Sequence, residues 1–181
     1  MDLTACRTIV GALLVGGLLG ATEAPGVPAD MSGVTQQPDI ALTVGQRFVV
    51  LPALNNDGVL DKKTGLVWEK SPQTVSAKWS VARRTCAEKN IGGQKGWRLP
   101  SLSELQGLVD SSIPPPGPTL PPGHPFLAIQ SAVYWSDTRV GEDPNGAWAV
   151  HFGLGGGAVF INWAHAVQVW CVHGSTKAYQ Q

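Results

Sequence analysis

Hydrophobic and polar positions along this chain fall into short runs, and most of them are too brief for a long helix. Arg47-Phe48-Val49-Val50-Leu51 is β-branched and apolar, which predicts a first strand, with order beginning near Gln46. Val59-Leu60 and Leu66-Val67-Trp68 follow, separated by Asp61-Lys62-Lys63-Thr64-Gly65. Asp opens that turn and Gly closes it, so a hairpin is expected. From Ala77 to Lys89 the spacing changes to helical. Trp79, Ala82 and Cys86 share one face, Ser76 is the expected N-cap, and Asn90 with Gly92-Gly93 ends the run. Cys86 therefore faces inward. A second helix starts after Pro100, where Ser101-Leu102-Ser103-Glu104 makes a capping box and Leu102, Leu105, Leu108 and Val109 form the buried stripe. Glu104 has the chemistry of a catalytic carboxylate, but its place in the cap accounts for it.

The last third alternates. Val133-Tyr134-Trp135, Ala147 to Phe152, Ala158 to Trp163 and Val167 to Val172 read as strands. Trp148, Val150 and Phe152 fall on one face, opposite Ala147, Ala149 and His151. Cys171 shares an inward face with Val167 and Val169. Between the helices and these strands, Ile113 to Pro125 holds seven prolines. That excludes helix and sheet and predicts a polyproline-like surface excursion, either a stiff connector or a recognition strip. The pattern as a whole is α+β: two helices, then a small antiparallel sheet whose last strand is tied back to the first helix.

Composition narrows the function classes. Thirteen basic and thirteen acidic residues cancel, so no basic field exists to hold nucleic acid. The 22 Gly and 14 Pro mean many turns, and all seven Trp lie from Trp68 onward, which places the packed domain there. At the N-terminus, Arg7 precedes the apolar stretch Thr8 to Gly20, with small residues at Ala21, Thr22 and Ala24. This reads as a secretory signal peptide over residues 1–24. The apolar run is short for a membrane span, and its four Gly weaken a core helix. Residues 25–45 lack periodicity and read as a flexible linker, residues 46–174 as the domain, and 175–181 as a tail. Cys6 would leave with the signal, so an oxidising compartment would meet Cys86 and Cys171 alone. That favours a bridge over two buried free thiols.

Few residues argue for chemistry. Gly153-Leu154-Gly155-Gly156-Gly157-Ala158 fits a dinucleotide fingerprint formally, but it joins two strands and reads as a hairpin tip. His124, His151, His165 and His173 form no ligand-spaced motif, no nucleophile elbow is present, and no metal or other cofactor is expected. Loop positions are more informative. Glu142-Asp143-Pro144-Asn145 carries residue types that orient sugar hydroxyls or a calcium ion, although an ordinary polar turn would look the same. The ligand-binding set expected from these loops is Asp137, Arg139, Glu142, Asp143, Asn145 and Asn162.

Several blocks taken together resemble a known family. They are Leu60-Asp61 with Thr64-Gly65-Leu66-Val67-Trp68-Glu69, Trp79 with Cys86, and Gly96-Trp97-Arg98-Leu99-Pro100-Ser101 with Glu104-Leu105. Tyr134-Trp135-Ser136, Trp148 and Trp170-Cys171-Val172 complete the order. From Arg47 to Gly174 the chain is similar to the bacterial Lcl C-terminal domain family. The resemblance implies a C-type-lectin-like fold, two helices flanking small antiparallel sheets, with the first helix bridged to the last strand. It assigns structural roles to Trp68, Trp97, Arg98, Pro100, Glu104, Trp135, Trp148 and Trp170, with Arg98 holding carbonyls or a carboxylate. The name-giving member is a collagen-like adhesin whose C-terminal domain binds sulfated glycans. This chain has no Gly-X-Y repeat and no strongly basic face, so trimerisation and polyanion binding do not carry over. Nor does the calcium-and-sugar signature of C-type lectins, because no Trp-Asn-Asp follows residue 145. The expectation is an exported, non-catalytic binding module for a glycan or protein at the cell surface or in the periplasm, with no membrane span once mature. A structural envelope protein is the alternative. An enzyme like the formylglycine-generating oxidases would need reactive late cysteines.

Overall fold

The computed structural model describes residues 42–141 and 145–175. The stretch expected to be a signal peptide, most of the expected linker, Glu142, Asp143, Pro144 and the end of the chain from residue 176 lie outside the described residues. At the linker's end one helical turn, α1 (Val44–Arg47), is held by Thr43, whose backbone N–H and Oγ1 both donate to Gln46 Oε1. Arg47 thus closes a helix instead of opening the strand, and β1 runs Phe48–Leu51. The hairpin of β2 (Gly58–Asp61) and β3 (Leu66–Glu69) forms where the turn residues put it, with Gly65 at φ +76°. A left-handed residue there favours glycine, which has no Cβ to clash. Asp61 accepts from Lys63 N–H, and its buried carboxylate also takes Arg47 Nε and Nη2 at 2.9 and 2.8 Å.

Helix α2 (Trp79–Glu88) buries Trp79, Ala82 and Cys86, the face its spacing defines. Ser76 is not its N-cap. Ala77 and Lys78 form a two-residue strand, β4, so the helix starts later and Lys78 stands at the cap position without a side-chain bond. The Ser76 hydroxyl accepts from Gln168 Nε2 instead. After β5 (Trp97–Arg98) comes α3 (Leu102–Gln106), with the capping box intact: Ser101 Oγ accepts from Glu104 N–H, and Ser101 N–H donates to Glu104 Oε2. Strands β6 (Val133–Arg139), β7 (Gly146–His151) and β8 (Gly157–Asn162) form an antiparallel sheet, and the Gly-rich run makes its β7–β8 tip.

The closing strand expected over Val167 to Val172 is two pieces. β9 (Ala166–Val167) pairs with β4, and β10 (Val172–His173) inserts between β3 and β5 in a five-stranded sheet ordered β1-β2-β3-β10-β5. Between them the chain passes β6, where Gln168 N–H donates to Val133 O and Gln168 O accepts from Trp135 N–H. The chain is thus α+β, with few helices, antiparallel sheets and one disulfide, Cys86–Cys171. Among the described residues no helix is long and apolar enough to cross a membrane.

Strand β7 separates two cores. Val150 and Phe152 pack with Trp68, Trp170, Tyr134, Phe126 and Phe48; Ala147 and Ala149 pack with Trp79, Trp97, Leu99, Trp135 and the disulfide. Alternation in β7 therefore distinguishes two interiors, not an inside from an outside. Trp148 is only half-buried, opposite the exposed Phe160 on β8. The Pro-rich segment also departs from a free excursion. Thr119 is fully buried, its N–H and Oγ1 both donate to Phe152 O, and Leu120 enters the first core. Prolines lack an N–H, and the segment's tie to Phe152 is made by this threonine.

Arg98 holds both kinds of acceptor expected of it. Its guanidinium donates to both Glu104 oxygens at 2.8 Å and to the carbonyls of Leu99 and Gly174. Burial acts to raise the Glu104 pKa, but the Arg98 hydrogen bonds and then the Ser101 N–H outweigh it and hold the carboxyl below its ordinary value. Its contribution is present above the unfolded-state pKa and is lost as pH falls through the lowered folded one. Arg98→Ala is expected to cost about 2 kcal/mol in urea denaturation at neutral pH, discounted from a fully buried pair because Arg98 is partly exposed. A loss under about 0.5 kcal/mol would mean the pair is solvent-screened.

Candidate functional site

Two of the loop positions singled out in the sequence, Asp137 and Arg139, meet at the Trp79 end of α2. Trp79, the first residue of that helix, donates from Nε1 to Ser136 O at 2.9 Å, fixing the helix start against β6. Its ring stacks on Trp163, just past β8, with centroids 4.9 Å apart and planes 12° from parallel. One helical turn on, the Arg83 guanidinium lies 4.8 Å from the Trp79 ring and pairs with Asp137 at 2.8 Å. Arg139, two residues along β6, brings a second guanidinium to 5.6 Å from the same ring. The pairing of β6 with β7 shifts register between Trp135 and Arg139, so this end of the strand departs from regular spacing.

Asn145 and Asn162 stand at the adjoining strand ends. Trp163 N–H donates to Asn145 O at 2.8 Å, and Asn162 Oδ1 accepts from Ala164 N–H at 2.9 Å. Of the six expected residues, Asp137 and Arg139 share the cluster on Trp79, while Asn145 and Asn162 flank it through Trp163. Glu142 and Asp143 lie outside the described residues. Sequence reading missed Trp79, Arg83 and Trp163 as members. Trp79 and Arg83 are four apart in a predicted helix and were legible as neighbours; Trp163 comes in only through the β7–β8 pairing.

The arrangement presents two cations and a carboxylate around a stacked indole pair. A shallow groove of about 360 Å³ runs on from it, lined by Ser80, Arg83, Arg84, Trp97, Arg98 and Asp137. Guanidinium groups lying on indole faces gain cation–π attraction and keep their N–H edges for hydrogen bonds. Trp79 itself is buried and its ring is covered by Trp163 and the two guanidinium groups, so a ligand here would meet the charged edges, which suit oxygen acceptors. The histidines do not assemble: His151 Nδ1 accepts from Gly153 N–H, and His173 contacts Gln94 and Trp97. No group of three or more metal-ligating side chains occurs among the described residues.

What the geometry defines is a small α+β domain, stapled by one disulfide, with charged groups gathered on an aromatic edge. The Lcl C-terminal domain model matches residues 57–173, well over half of the 181 residues, and the chain belongs to that family. No curated protein matches the chain.

Proposed function

We propose that this protein is an exported, non-catalytic binding module of C-type-lectin-like fold that recognises a glycan at the cell surface or in the periplasm. The observation that carries this reading is the Arg83–Asp137–Arg139 group seated on the Trp79–Trp163 stack. Guanidinium donors held in place by an indole stack, beside an exposed carboxylate, are suited to the hydroxyls of sugars and other oxygen-rich ligands. Family membership and the tie of helix α2 to the segment leading into the last strand agree with that fold. A thiol-dependent oxidase reading has less to use, because Cys171, the one late cysteine, is bonded to Cys86.

A glycan array with the oxidised chain, run with calcium and again with chelator, is the test. Dose-dependent binding to a defined sugar class is expected. Arg139→Ala and Asp137→Ala should each weaken it about tenfold while the melting temperature stays within a degree or two, since both side chains are solvent-facing. Binding that is unchanged in both variants would remove this face. A blank array with folded protein would replace glycan by a protein partner.

A further inference from the structure

Strand β8 pairs with β7 on one side, and among the described residues no strand pairs with its other side. An edge strand offers a row of free N–H and C=O groups, and proteins ordinarily block it with charge, proline, a bulge or short length. β8 has none of these. Its six residues are Gly157-Ala158-Val159-Phe160-Ile161-Asn162, and they match β7 in unbroken register. Other edges of the fold are blocked. β1 is four residues long between Arg47 and Pro52, and β5 is two residues long and contains Arg98. β6 carries Asp137 and Arg139 and is partly closed by Gln168.

The register decides which groups of β8 point outward. Trp163 N–H donates to Asn145 O, so Ala147 with Ile161 and Ala149 with Val159 are the hydrogen-bonded pairs that follow. Ala158, Phe160 and Asn162 sit in the alternate pairs and turn their N–H and C=O groups away from β7. All three residues are exposed, Phe160 by 44%. Asn162 O accepts from His165 N–H at 3.0 Å and keeps one lone pair. On the same face the Phe160 ring lies over Gly146, where a Cβ would come within 2.1 Å of it, and beside the half-buried Trp148. The open backbone edge therefore carries an apolar ridge.

Charge selects the occupant. Between Asp143 and Lys177 the sequence holds no Asp, Glu, Lys or Arg, and His151, His165 and His173 are its only titratable side chains besides the bridged Cys171. A second copy thus meets this edge without fixed like charges opposing it. The strand is also its own complement. Laid antiparallel with Phe160 opposite the partner's Phe160, Ala158 faces the partner's Asn162, and the outward groups of both strands meet as hydrogen-bonded pairs. Each strand is already ordered by its own β7, so the pairing avoids the entropy that a flexible peptide loses on binding.

We propose that β8 pairs antiparallel with β8 of a second copy of this chain, joining the two three-stranded sheets into one continuous sheet with Phe160 on the two-fold axis. The apolar ridges then meet across the axis, and the main-chain groups left open by β7 are satisfied.

Sedimentation velocity of the oxidised full chain, from about 1 to about 100 μM, is the test. A reversible, concentration-dependent monomer–dimer equilibrium is expected. Ala158→Pro removes one outward N–H without touching a β7 hydrogen bond, and it should weaken the dimer at least about tenfold. Phe160→Lys and Phe160→Glu each set like charges directly opposite one another and should weaken it to a similar degree, about tenfold or more. An equimolar mixture of those two variants should recover the dimer, because Lys then faces Glu. Circular dichroism melts identify the folded variants, and the proline and the Lys–Glu pair each decide the matter alone. A chain that stays monomeric to about 100 μM would overturn the proposal and leave the edge to an extended peptide or another segment of this chain. So would a dimer undiminished in the folded variants, or a Lys–Glu mixture that stays monomeric. The readout is oligomeric state, so it stands or falls apart from ligand binding at the Trp79 edge.

Discussion

Replacing Cys86 and Cys171 together by alanine is expected to lower the unfolding free energy by about 4.5 kcal/mol, the chain-entropy value for a loop this long. The two cysteines are 85 residues apart and tie helix α2 to the segment leading into β10. Both are fully buried among Trp79, Ala82, Trp97 and Leu99, so losing the sulfur atoms adds a packing deficit to the entropic loss. Net stabilities of about 5–15 kcal/mol leave little after such a loss. Guanidinium denaturation of the double variant beside the oxidised protein checks it. A difference under about 1 kcal/mol would mean that the two cores hold β10 in place without the bridge.

Trp170→Ala should be nearly as damaging, at about 3–5 kcal/mol. Trp170 is fully buried, and its ring lies 5.3 Å from Trp68, 5.0 Å from Phe126, 5.8 Å from Tyr134 and 6.0 Å from Phe152. It is the common neighbour of aromatics from β3, β6 and the two loops after α3 and β7. Its Nε1 also donates to Glu69 O at 2.8 Å, in a fully buried contact. Trp170→Phe separates the two roles: much of the ring packing remains, but Glu69 O loses its donor, for an expected cost of about 1–3 kcal/mol. Thermal or urea unfolding of the two variants measures both terms. If Phe proves as costly as Ala, the hydrogen bond and not the ring contact dominates at this position.

Local signals were readable wherever a short stretch of chain satisfies its own backbone. The β2–β3 hairpin follows from Asp61 and Gly65, and the α3 cap from Ser101 and Glu104, because both partners of each bond lie within a few residues. The buried face of α2 was readable for the same reason. Ser76 was misplaced because its competitor is distant: Ala77 and Lys78 pair with Val167 and Ala166, some ninety residues later, and that ladder postpones the helix. The Pro-rich segment misled in a similar way. Composition correctly excluded regular structure, but Thr119 is anchored by Phe152, which proline content could not reveal.

The candidate site divides along the same line. Asp137 and Arg139 were visible as polar residues at a strand end, while their joint position over Trp79 depends on the irregular end of β6 and the packing of α2 against it. The burial of Glu69 was invisible: in the sequence, it is an ordinary acidic residue ending a strand. Its burial comes from segments brought together by Gly92, Lys89 and the Cys171 region.

By itself the sequence determined the α+β class, the inward face of Cys86, the hairpin and the α3 cap; Cys171 is buried, but in a stretch where four successive residues are buried and not on one face of a strand. Periodicity and capping are properties of neighbours along the chain, which local sterics and hydrogen bonds set. Only the tertiary structure decided that β7 divides two cores, that the closing strand breaks in two, and that Glu69 is buried with one oxygen unpaired. Each depends on which distant backbone groups and charges meet, and the cost of burying them is settled only when the whole domain has closed.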